Sequence, residues 1–95
     1  MTSHIWVEPI RVVGLSYYIK DIAEVDGYEV ELIREPLNPH DHLAIGVFVL
    51  GASGRHQIGH VPRDLAAGVR DDQLPARGVI VFRTAPPKTG VSIQA

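Results

Sequence analysis

No cysteine occurs at any of the 95 positions, so neither a disulfide framework nor a thiolate zinc site can brace this small chain, and apolar burial must hold it together. The same absence favours a reducing, cytoplasmic setting. No apolar run approaches the ~20 residues that cross a bilayer as a helix, and Met1 to Val7 lacks the basic start and apolar core of a signal peptide. The expectation is an unsecreted protein without a membrane partner. A basic excess is missing as well, since 9 Lys and Arg stand against 11 Asp and Glu, for a formal net charge of -2. That balance excludes coating of long duplexes by charge alone, and any anionic ligand must be met by cations placed locally.

Catalytic signatures are also absent. Ser3, Ser16, Ser53 and Ser92 sit in no Gly-x-Ser-x-Gly elbow, and no Gly-x-x-x-x-Gly-Lys loop offers to cradle a nucleotide. The sequence therefore predicts no enzyme, no catalytic residue and no cofactor.

What is present fits one domain over residues 1–95 with a modest core, given a hydrophobic share of 45%. Ile5 to Tyr18 is apolar, β-branched and aromatic, which predicts a first strand bending at Gly14. Asp21 to Val25 has room for one helical turn, and Asp26-Gly27 is a turn signal. From Tyr28 to Arg34, Tyr28, Val30 and Leu32 alternate with Glu29 and Glu31, the period of a half-buried strand with Tyr28 on the core side. Pro36 and Pro39 stiffen the connection up to Asp41.

Ala44 to Leu50 reads as a strand buried on both faces, Gly51 to Gly54 as a hairpin loop, and Arg55 to Val61 as the returning strand. Pro62 followed by Arg63 to Arg70 has the proline, early acid and late arginine of one short helix. Gly78 to Arg83 and Val91 to Gln94, separated by Pro86-Pro87, complete the pattern. Five to six short strands with one helix and glycine-rich turns predict a mainly β fold, a small modified OB-like β-barrel.

Several residues have plain structural readings. Trp6 suits a plug at one barrel end, Gly14 and Gly59 suit curvature or close backbone approach, and Asn38 suits turn formation. Asp41 can equally cap a turn amide or meet a ligand. Tyr17 and Tyr18, if extended, face opposite ways, so only one of them can share a binding face. His40, Asp41, His42, His56 and His60 raise the question of a metal, but His40 and His42 on extended chain would point away from Asp41, and no metal is predicted.

Three blocks then occur in order: Val12-Val13-Gly14-Leu15-Ser16-Tyr17-Tyr18, the stretch Arg34 to Val47 containing Asn38-Pro39-His40-Asp41 and Ala44-Ile45, and Gln57-Ile58-Gly59-His60-Val61-Pro62-Arg63-Asp64-Leu65-Ala66. Together they resemble the HIRAN domain, found at the N-terminus of helicase-like DNA-repair proteins and as small bacterial proteins. The resemblance implies a modified OB barrel that holds the 3′-hydroxyl end of single-stranded DNA, in repair, replication or the processing of phage and mobile-element DNA, and leaves open whether it acts alone or beside a separately encoded helicase or nuclease. Position by position it implies an aromatic platform at Tyr17 and Tyr18, an end-reading carboxylate at Asp41, a stacking or hydrogen-bonding group at His40, and phosphate contacts at His60 and Arg63. Ser16 departs from the pattern, which places arginine before the tyrosine pair, and the C-terminal strand has no clear match. Two other readings stay open: a protein-interaction or self-association module on the same barrel, motivated by Ser16 and the acidic balance, and a metal-dependent phosphoesterase built on the histidines.

Overall fold

The computed structural model describes residues 4–19, 25, 27–51, 54–84 and 89–95. Among them six strands form one antiparallel sheet: β1 (Ile10–Arg11), β2 (Glu29–Arg34), β3 (Ile45–Gly51), β4 (Gly54–His60), β5 (Ala76–Thr84) and β6 (Gly90–Gln94), in the spatial order β1-β6-β5-β2-β3-β4. Two short helices, α1 (Leu15–Tyr18) and α2 (Arg63–Ala66), and a 3-10 turn at Asp71–Gln73 lie outside the sheet. The fold is mainly β, as the sequence predicts.

The sheet curls until its two ends meet. Just beyond β1, Val13 exchanges backbone hydrogen bonds of 2.9 Å in both directions with His60 at the end of β4. Gly59 makes this approach feasible, because a Cβ there would collide with the carbonyl oxygen of Val13 and come within 2.7 Å of the Val12 side chain. The result is the curled, OB-like barrel.

Alternation fills the interior. Val30 and Leu32 of β2, Ile45 and Val47 of β3, Ile58 of β4 and Ile93 of β6 are all fully buried, each side chain stabilising the fold by about 1.5–3 kcal/mol relative to exposure. Trp6 is half-buried against this core, with the Ile5 and Trp6 amides bonded to the carbonyl of Ala95 and Gln94 Nε2 donating to the Trp6 carbonyl.

Three expectations change. The predicted first strand keeps only Ile10–Arg11 and the Val13 bridge, because Gly14 takes φ +77° and turns the chain into α1. Tyr17 and Tyr18 are therefore about 100° apart around a helical turn instead of opposed across a strand. Tyr28 lies just before β2 and is 70% exposed, its ring under the Arg83 guanidinium at 4.7 Å, so the core alternation begins at Val30. The helix after Pro62 ends early, at Ala66. The expected helical turn near Asp21, the Asp26-Gly27 turn, the tip of the hairpin at Ala52-Ser53 and the Pro86-Pro87 turn fall, in whole or part, outside the described residues.

Candidate functional site

One β-bulge organises a cluster of hydrogen-bonded polar side chains. In the β3–β4 ladder Phe48 pairs with Gln57 but Val47 pairs with Gly59, so Ile58 is the extra residue and turns into the core. Gln57 and His60, three apart, would face opposite ways on a regular strand. The bulge restores them to one face, opposite Phe48 and Gly46 respectively. Ile33 of β2 also pairs with Gly46, which brings Glu35, two residues on, to that face. Gly46 supplies the space, since a Cβ there would lie 2.6 Å from Glu35 Oε2 and 2.8 Å from the Phe48 ring.

Glu35 is the hub of what results. Its carboxylate accepts from Asn38 Nδ2 at 3.1 Å and Gln57 Nε2 at 3.0 Å, and it is 2.7 Å from His60 Nε2. Burial pushes the Glu35 carboxyl up, but the hydrogen bonds from His60, Asn38 and Gln57 and the attraction of His60 outweigh it, leaving the group below the usual glutamate value. Tyr18 packs its ring against His60, with centroids 5.6 Å apart and planes at 60°. Burial and the nearby Glu35 charge both raise the Tyr18 phenol, which stays protonated and able to donate.

Asn38 links this hub to the proline-stiffened turn. Its Oδ1 accepts from the amides of His40 at 2.9 Å and Asp41 at 3.1 Å, the turn-forming role the sequence suggests. Asp41 Oδ1 accepts from the Leu43 amide at 2.9 Å, while Oδ2 faces Arg63 Nε at 3.5 Å. The Asp41 side chain is largely covered and the Arg63 side chain is 82% exposed.

Tyr18, Asn38, His40, Asp41, His60 and Arg63 thus line one cleft of about 320 Å³, floored by Val13, Ala44 and Val61. Five of the six residues singled out from the sequence meet there. Tyr17 does not line it and projects from α1 at 88% exposure. Among the described residues no three His, Asp or Glu side chains gather as a metal site would require.

Sequence reasoning missed Glu35, Gln57 and Arg34. Arg34 is the staple behind the cleft: Nη1 donates to the carbonyls of Leu43 at 2.6 Å and Ala66 at 3.0 Å, Nη2 donates to that of Val69, and Nε meets Asp71. It ties the Asp41 turn to α2, which carries Arg63. A signal was present, because Arg34 continues the inward series Val30, Leu32, and a charge on a covered face must be paired.

Among known families, the model of the HIRAN domain matches residues 9–88. No curated protein and no solved structure matches significantly.

Proposed function

Because the matched region covers well over half of the chain, the protein belongs to the HIRAN family of DNA-binding domains, and we propose that its cleft captures the 3′-hydroxyl end of single-stranded DNA. The observation that carries this reading is Asp41, an acid held in a rigid turn at the wall of a cleft otherwise supplied with donors and aromatic rings. With Oδ1 committed to the Leu43 amide, Oδ2 is the acceptor for an incoming hydroxyl. A 3′-phosphate offers no such donor at neutral pH and sets like charges against each other, at a cost on the order of several kcal/mol if they stand about 4 Å apart near the surface.

The other residues divide the remaining work. Arg63, mostly in water and only 3.5 Å from Asp41, meets the adjacent phosphate without removing the acid's preference for a neutral end. His60, with Nε2 tied to Glu35, keeps Nδ1 for the ligand, and its ring is steadied by Tyr18. Tyr18 and His40 present flat faces on which any base can stack, so binding is blind to sequence. Tyr17, outside the cleft, stacks a base farther from the end.

Fluorescence anisotropy of short labelled single strands tests the reading, with 3′-hydroxyl and 3′-phosphate ends compared at fixed salt. Wild type should prefer the hydroxyl end at least roughly tenfold, the equivalent of about one charge-assisted hydrogen bond, and Asp41→Asn should lose the preference. Equal binding of both ends by wild type would overturn end recognition and move the assignment to a protein-interaction module.

A further inference from the structure

Resting on the proposed capture of a DNA end, we infer that a second cleft, centred on Arg11, is a subsite for an internal phosphate of the same strand. The cleft has a volume of about 480 Å³ and is walled by Arg11, Ser16 and Thr89. It adjoins the Asp41 cleft at Val13, which lines both and is 42% exposed. A strand seated at its end on Asp41 and His60 can pass over this apolar ridge without leaving the protein surface.

Arg11 is suited to what arrives there. Among the described residues no carboxylate lies within ion-pair distance of its guanidinium, whereas Arg34, Arg55, Arg63, Arg70 and Arg77 each have an acidic partner. The side chain is also laid down rather than loose. A Cβ at position 90 would be 3.1 Å from Arg11 Nη2 and 3.5 Å from its Cζ, so Gly90 provides the bed for the guanidinium. The lining of this cleft thus joins an arginine that has no acidic partner among the described residues to Ser16 and Thr89, residue types that can donate to a phosphodiester.

The test compares 3′-hydroxyl oligodeoxynucleotides of two and six nucleotides, binding to wild type, Arg11→Gln and Arg11→Lys across a salt series. Arg11→Gln should weaken the six-nucleotide strand by roughly threefold to tenfold and lower the slope of log affinity against log salt by about 1. Binding of the two-nucleotide strand and the hydroxyl preference should be unchanged, and Arg11→Lys should restore the slope. Unchanged affinity and slope for the longer strand, with the hydroxyl preference intact, would overturn the Arg11 subsite alone. Failure of wild type to prefer a hydroxyl end would instead overturn the end-capture reading on which the subsite rests.

Discussion

The clefts on either side of Val13 are built in opposite ways. Around Asp41 nearly every polar group already has a partner: Glu35 is met by three side chains, Asn38 by two backbone amides, and Asp41 by Leu43 and Arg63. Around Arg11 the charge is positioned by Gly90 but answered by no acid among the described residues. A preorganised network can discriminate between chemically similar ends, because its geometry costs nothing to assemble when the ligand arrives. An isolated surface cation adds attraction and salt dependence but little selectivity. Damage to the first side should therefore alter stability and choice of ligand, and damage to the second only affinity.

The largest effect should come from Arg34. Asp71, its acidic partner, is 88% exposed and contributes little, but Arg34→Ala would strip donors from the carbonyls of Leu43, Ala66 and Val69 at once. A loss of about 3 kcal/mol is expected, lowering the melting temperature by more than about 10 °C for a chain of this size. Thermal unfolding followed by circular dichroism measures it, and Arg34→Lys should recover only part, since an ammonium cannot span three carbonyls in one plane.

Next comes the closure of the barrel. Gly59→Ala sets a methyl group against the backbone of Val13, which cannot swing away as a side-chain tip would, and about 1–3 kcal/mol of stability should be lost. Chemical denaturation gives the figure. A midpoint equal to that of wild type would mean that the Val13–His60 bridge does not hold the two clefts together.

A smaller and pH-dependent effect belongs to Glu35. Its carboxyl lies below the ordinary glutamate value in the folded protein, so its network contributes stability above the unfolded-state pKa, and that stability is lost as pH falls through the lower folded-state value. Melting temperatures of wild type should drop as pH falls below about 4.5, near the unperturbed value for glutamate. The drop in Glu35→Gln should be shallower, and parallel curves would remove Glu35 from the account of acid stability.

How far these features are legible in sequence follows from the same contrast. Val30 and Leu32 alternate with Glu29 and Glu31, and their burial can be read directly. The Asn38-Pro39-His40-Asp41 turn is equally plain, because proline and an Asx side chain impose their conformations locally. The hub at Glu35 is not legible, since it depends on a bulge that reverses the facing of His60 relative to Gln57, and a bulge leaves no sign in a period-two pattern. Tyr17 and Tyr18 mislead for a related reason: β-favouring side chains follow Gly14, but its positive φ and the docking of Val13 on β4 wind them into a helical turn.

In the proposed function Asp41 reads a hydroxyl, and the sharpest measurement removes only that hydroxyl. Single strands ending in an ordinary 2′-deoxynucleotide, with its free 3′-hydroxyl, or in a 2′,3′-dideoxynucleotide carry the same charge, so their affinities at one salt concentration differ only through the hydroxyl. Wild type should bind the hydroxyl end tighter by roughly tenfold, with no difference in Asp41→Ala. Equal affinity of wild type for both ends would contradict the account, whatever the discrimination against a 3′-phosphate.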